Sequence, residues 1–343
     1  VVNGVGERIL IVAPSWVGDA VLSQPLLALL KAKDPAARID VLAPGWVLPV
    51  YRRMPQVADT IESPFAHGRF DFGKRLRLAW LLRQVRYDRA FVLSNSFKSA
   101  LAPCLAGIPN RTGFVGELRY GLLTDARRLD KRRLPRMVER FAHLAGNAGE
   151  SLPVPLPRPA LRVTAPEVDA VLAAKALSRP AKLACFCPGA EYGPSKRWPA
   201  RYFAALAQRL ARDGYEVWLL GSKKDAATGV EIVRDAGGTV LDLTGKTSLD
   251  EAIVLLSIAD QVVTNDSGLM HVTAALDRSL VAIYGSSSPE FTPPLSNRAR
   301  IVRLGIACSP CFERVCPLGH FDCMMRLDPE RVLREIRVSV DKE

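Results

Sequence analysis

The sequence predicts an α/β protein made of two doubly wound, Rossmann-like domains, and three observations carry that expectation. At 343 residues the chain is too long for one ordinary core. Short apolar runs alternate with helical patterns, the signature of parallel sheets with helices on both faces. Between two series of such units lies "ESLPVPLPRPALRV", where Pro153, Pro155, Pro157 and Pro159 exclude helix and central strand. That stretch reads as a stiff extended connector over 151–162. It separates a domain over 1–150 from one over 163–327, with a final segment over 328–343.

Taken in order, "RILIVA" (8–13) is a buried strand and 20–31 a helix. "RIDVLA" (38–43) and "VADTIE" (57–62) are strands, 74–86 is a helix, and "DRAFVLS" (88–94) is a strand. After the connector the scheme repeats. Strands fall at "KLACFC" (182–187), "YEVWLLG" (215–221), "GTVLDL" (238–243), "QVVTN" (261–265) and "SLVAIYG" (279–285). Helices fall at 199–212, 224–236, 249–258 and 267–276. "DPERVLREIRVSV" (328–340) is a last helix with proline near its start.

Composition narrows the class. Apolar residues make up 48% and charged residues 24%, ordinary for a globular protein, and no apolar run is long enough to span a membrane. The opening "VVNGVGERILIVAP" lacks the order of a signal peptide, and seven cysteines, an odd number, do not suggest a secreted disulfide framework. The expectation is a cytoplasmic protein. Residues 1–150 hold 23 Lys and Arg against 13 Asp and Glu, whereas 151–343 hold 24 against 22. The basic surplus belongs to the first half and suits an anionic partner: nucleic acid, an acidic membrane surface or a phosphorylated substrate.

Ligands of doubly wound sheets bind outside the carboxyl ends of the strands, so the stretches that follow strands are the candidates. "TNDSGLMH" passes from a strand into a helix through Asp266, Ser267 and Gly268, with His271 one turn on. Free N–H groups at a helix start suit a phosphate, although Asp or Ser there also reads as a simple cap. "PGAEYGPSKRWP" (188–199) is a loop whose Lys196 can neutralise a phosphate oxygen; the plainer reading is a solvated loop. Neither a Walker loop nor G-x-G-x-x-G after the first strand is present. In "APSWVGDAVLSQPLL" (13–27), Gly18 makes a turn and Asp19 opens a helix, so Asp19 is either an N-cap or a base for a hydroxyl proton. Lys98, Arg111 and Arg119 follow another strand and can line an anionic acceptor site. The run 127–140 carries seven Arg and Lys against two acids, which reads as a solvated face or a contact for lipid phosphates. Cys308, Cys311, Cys316 and Cys323, with His320 nearby, approach a tetrathiolate spacing, but the later gaps fit no common zinc ribbon. Metal binding and free thiols both remain open there.

Together "PSWVGD", "NSFKSAL", "PGAEYGPSKRWP" and "TNDSGLMHVTAAL" resemble the ADP-heptose:lipopolysaccharide heptosyltransferases, over Arg8 to about Pro294. The resemblance implies the GT-B architecture, with acceptor in the first domain, ADP-heptose in the second, and the last helix returning toward the first. It implies inversion at the anomeric carbon with no metal or other cofactor required. Asp19 then matches the family's base and Lys196 its diphosphate lysine. Glu191, Tyr192, Asp225, Thr247, Asp266, Ser267, Gly268 and His271 fall on the donor side; Ser15, Trp16, Lys98, Arg111 and Arg119 fall on the acceptor side. The implied acceptor is heptosyl-Kdo2-lipid A, which receives its second heptose from a monomer resting on the cytoplasmic face of the inner membrane, with no nucleic-acid partner. Transfer to another core acceptor, a sugar-nucleotide epimerase of the same architecture and a polyanion-binding module are the alternatives. The cysteine-rich stretch stands outside the matched pattern.

Overall fold

A computed structural model describes residues 6–65 and 71–340; the extreme ends of the predicted first and last segments lie outside them. The chain divides into two units, 1–159 and 160–343. In the first, β1 (Arg8–Val12), β2 (Arg38–Ala43), β3 (Val57–Glu62), β4 (Arg89–Val92), β5 (Asn110–Phe114) and β6 (Asp125–Arg127) form a sheet ordered β3-β2-β1-β4-β5-β6. Every pairing is parallel. Its helices are α1 (Val17–Leu22), α2 (Gln24–Lys33), α3 (Leu48–Arg52), α4 (Phe72–Val85), α5 (Phe97–Leu105) and α6 (Met137–His143).

The second unit repeats the plan. Strands β7 (Leu183–Cys187), β8 (Glu216–Leu219), β9 (Val240–Asp242), β10 (Gln261–Asn265), β11 (Leu280–Ile283) and β12 (Ala299–Val302) are ordered β12-β11-β10-β7-β8-β9, again all parallel. Its helices are α7 (Ala165–Ala174), α8 (Ala200–Arg212), α9 (Ala226–Ala236), α10 (Leu249–Ser257), α11 (Gly268–Ala275), α12 (Asp322–Met325) and α13 (Pro329–Val340). Val332, Leu333 and Ile336 of α13 join Phe203 and Leu210 of α8 in this unit's core, so the helix's apolar face is committed here.

The central strands β1, β2, β7 and β10 are buried on both faces, which is why they read as continuous apolar runs. In each sheet the strand order reverses beside the first strand of the unit, between β1 and β4 and between β7 and β10. Such a switch point leaves a crevice at the carboxyl ends, because the two connections leave in opposite directions.

Some elements differ from expectation. The helix expected over 20–31 is two helices, α1 and α2, that meet at Ser23. Pro25 has no N–H to carry the ladder across, and Ser23 Oγ donates to Ala20 O at 2.7 Å instead. Helix α5 forms despite Pro103, which sits in its last turns. Helix α7 starts at a capping box in which Thr164 N donates to Glu167 Oε2 at 2.7 Å.

Candidate active site

The residues that gather at the second switch point come from three strand ends. After β7 the chain runs to Lys196 through a loop fixed at both ends by one buried amide. Asn265 Nδ2 donates to Pro188 O at 2.7 Å, and Trp198 N donates to Asn265 Oδ1 at 3.1 Å. Asn265 closes β10, so the sheet itself sets the span of the Lys196 loop. The next residue, Asp266, accepts from Lys196 Nζ at 2.5 Å and from Ser287 Oγ at 2.5 Å. Ser287 lies just past β11, between Ser286 and Ser288, all three buried.

The ion pair by itself says little about stability. Asp266 is buried, whereas the Lys196 side chain keeps 16% of its exposure. A buried ion pair gives back in attraction about what it loses in desolvation, so it is weak evidence of a stabilising role. An ammonium has three donors, and one goes to Asp266. Lys196 Nζ also stands 4.9 Å from the centre of the Tyr192 ring, a cation–π contact that holds its direction.

Helix α11 begins at this point. Its N-cap is Ser267, whose side chain caps nothing and instead shares a 3.2 Å hydrogen bond with Thr264 Oγ1. Asp266 is likewise turned to Lys196 and Ser287. The capping alternative for this stretch therefore does not describe it. Ser267 gives the first N–H groups of α11 no side-chain cap, and helix starts of this kind are generally suited to anions. His271, one turn in, is buried, and burial pushes its pKa down to about 4, with Asp266 raising it and Lys196 lowering it. It is a neutral imidazole at physiological pH.

The remaining donor-side residues take different positions. Asp225 is buried and accepts from Ser222 N at 2.9 Å and Ser222 Oγ at 2.8 Å, closing the turn after β8. A side chain at Gly189 would meet that carboxylate at 2.5 Å, so only glycine lets the β7 loop cross it. Glu191 makes an exposed ion pair with Lys224. Among the described residues Thr247 Oγ1 finds no hydrogen-bond partner although it is buried.

At the first switch point, β1 leads into α1 and β4 into α5. Asp19 is the third residue of α1; the N-cap is Trp16, so Asp19 does not open the helix as expected. Trp16 and Trp46 are exposed, and Trp46 Nε1 donates to Ser15 O at 3.0 Å. Lys98 is the second residue of α5, half-buried.

One expected acceptor contact is corrected. Arg119 is fully buried and does not line a surface. Its guanidinium donates to Phe114 O at 3.0 Å, Ser96 O at 3.3 Å, Ser99 Oγ at 3.2 Å and Asn95 Oδ1 at 3.2 Å, and also to Ser94 O. Burial pushes its pKa down to about 10, against Glu117, which raises it. Arg119 thus fixes the 94–99 loop that carries Lys98. Arg111 remains half-buried and donates to Leu122 O at 2.7 Å and Ile108 O at 2.5 Å. The basic run 127–140 is not one solvated face either: Arg127 is buried against Asp125 at 2.6 Å and donates to His143 O and Gly146 O, both at 2.8 Å.

Sequence reasoning missed Ser286 and Ser287. The signal was available, since "GSSS" directly follows a strand, but three serines carry no charge to draw notice. It also missed Phe312 to Arg314, whose backbone braces the Lys196 loop.

Comparison with known proteins places these features in a family. Residues 75–322 match the profile described as Glycosyltransferase family 9 (heptosyltransferase). The chain is 47% identical to lipopolysaccharide heptosyltransferase 2 of Salmonella typhimurium over 98% of its own length and 99% of the relative's. It is 46% identical to the Escherichia coli K12 protein of that name over the same shares. The solved structure of E. coli ADP-heptose lps heptosyltransferase II superposes with a TM-score of 0.87 at 45% identity, covering 98% of this chain and 99% of that one.

Proposed function

Since the chain belongs to glycosyltransferase family 9 and is a heptosyltransferase of GT-B fold, we propose that it moves heptose from ADP-heptose onto heptosyl-Kdo2-lipid A, adding the second heptose of the lipopolysaccharide inner core. The observation that supports this most is the Lys196–Asp266 pair beside the open start of α11. That arrangement suits a leaving nucleoside diphosphate.

In the reaction, an acceptor hydroxyl attacks C1 of the heptose from the face opposite the diphosphate, giving inversion. The C1–oxygen bond to ADP breaks, and negative charge grows on the diphosphate. Lys196 and the first amides of α11 stabilise that charge where it appears, the step at which fixed dipoles count most. Neutral His271 lends a polar wall without a competing charge. Thr247 and the 188–196 loop hold the nucleotide end. Asp19 takes the acceptor proton, late in bond formation, when that hydroxyl has become acidic. Ser15, Trp16 and Lys98 hold the acceptor, with Arg111 and Arg119 as positioning residues. No separate cofactor enters the chemical step.

The acceptor is a glycolipid, and helix α4 supports a position on an anionic bilayer surface. Phe72, Leu76 and Trp80 recur at every fourth position and are exposed, Trp80 at 62%, with Leu81 beside them. Lys74, Arg77, Arg83 and Arg86 are exposed around this stripe, and no acid lies between 72 and 87. Among the described residues no helix is long and apolar enough to cross a membrane. The features are those of a helix that lies in the interface.

Transfer assays with ADP-heptose and Kdo2-lipid A, with and without the first heptose, test the proposal. Product only from the heptosylated acceptor is expected; product from the bare acceptor overturns the assignment. Conversion of ADP-heptose alone into an isomer would favour the epimerase reading. Co-sedimentation with phosphatidylglycerol vesicles tests the surface. Trp80→Ser should weaken it while turnover on detergent-dispersed acceptor stays unchanged.

A further inference from the structure

Between β12 and α12 the chain carries C-x2-C-x4-C-x6-C: Cys308, Cys311, Cys316 and Cys323. The chemistry above uses none of them. All four are free thiols of intermediate burial. They converge, with His320 and Phe321, on one narrow cavity of about 20 Å³, room for roughly one water-sized occupant. Cys316 opens a turn closed by Gly319 N donating to Cys316 O at 3.1 Å, with Gly319 at a φ of 72°. Simple packing does not explain a void ringed by four thiols. His320 is set aside as a ligand, because its Nδ1 accepts from Asp322 N at 2.9 Å. Among the described residues no three ligand side chains already stand in coordination geometry, so closure takes side-chain rotation about the void.

We propose that Cys308, Cys311, Cys316 and Cys323 form a mononuclear tetrathiolate site for a thiophilic divalent cation, zinc or iron, that braces the donor pocket. Four sulfurs of this kind select those metals. On binding, four S–H bonds break, the protons pass to solvent, and four metal–sulfur bonds form with no redox change. The role in the donor pocket rests on the reading of Lys196 given above; the metal site does not.

The brace is visible in the segment between the ligands. Ser309 Oγ donates to Gly285 O at 2.6 Å, and Phe312 N donates to Ser286 O at 2.7 Å. Ser195 N donates to Arg314 O at 3.2 Å, and Tyr192 OH donates to Phe312 O at 2.5 Å. A side chain at Gly193 would meet Arg314 O at 2.3 Å, so the two stretches are in direct backbone contact. An ion held by the cysteines would therefore fix both the Lys196 loop and the serine loop.

The test is elemental analysis of the full chain, purified without chelator or affinity metal from cells grown with zinc and iron. About one ion per chain is expected, zinc and iron being separated by the same measurement. Cys316→Ser and Cys323→Ser should fall below about a tenth of that, while Cys104→Ser keeps it. Independently of any variant, anaerobic Co2+ titration of the stripped wild type should raise thiolate-to-cobalt charge-transfer and tetrahedral d–d bands. Metal below about a tenth of an equivalent with no such bands, or metal retained in both variants, overturns the proposal. A metal-bearing chain inactive on ADP-heptose would leave the site standing and sink only its link to the donor pocket.

Discussion

The two units share one strand order and treat the same place in it in opposite ways. At the β1/β4 switch point the first unit presents exposed indoles and a carboxylate in a helix's first turn. At the β7/β10 switch point the second unit buries a carboxylate against an ammonium and the hydroxyl of Ser287. The first arrangement is the more open, in keeping with the acceptor proposed for it. The second is buried and hydrogen-bonded, in keeping with the leaving diphosphate proposed for it, since charge interactions strengthen where water is excluded. One topology thus supplies two crevices, and the loops decide what each receives.

The sharpest way to break this division is Asp19→Asn. It should lower kcat by about 10²–10⁴-fold, the usual contribution of a general base, with ADP-heptose affinity unchanged. Loss of donor affinity would show that the first unit also serves the nucleotide. Lys196→Ala should cost about 10²–10³-fold in kcat and also weaken ADP binding, measured by calorimetry. An effect on kcat alone would move Lys196 away from the ground-state diphosphate.

His271 tests the dryness of the second crevice. Its folded pKa of about 4 lies below the usual 6.5. The unfolded chain therefore binds more protons between those values, so this stabilisation is complete above pH 6.5 and is lost as pH falls toward 4. The full difference is about 3 kcal/mol. Denaturant titrations should find His271→Gln less pH-dependent than wild type in that window; parallel curves would contradict the burial. The smallest effect is expected of Ser287→Ala, which removes one hydrogen bond to the Asp266 carboxylate. About tenfold weaker donor binding, read by calorimetry, is expected, with the first unit's acceptor KM unmoved.

The legibility of the fold follows the same physics. Central strands were readable because burial on both faces leaves an unbroken apolar run, as in "LACFC". Strands β5 and β6, "NRTGF" and "DAR", lie toward the sheet's edge, where half-exposure admits polar residues and erases the pattern. Lys196 and Asp266 were legible because charge after a strand end is conspicuous. The same reasoning misplaced Arg119, since a sequence does not say whether a guanidinium meets solvent or five protein acceptors. Helix α7 was overlooked although its Thr-x-x-Glu start was in plain view: it lies just past the connector, and no element was assigned before the strand at 182.

Asn265 gives the donor side a modular character. A single carboxamide grips the polypeptide at Pro188 and again at Trp198. Everything in between is a cassette whose hinge points belong to the sheet. Exchanges among its middle residues leave both anchors in place, whereas replacing the gripping amide by leucine would unfasten both ends at once and leave two buried backbone groups without partners.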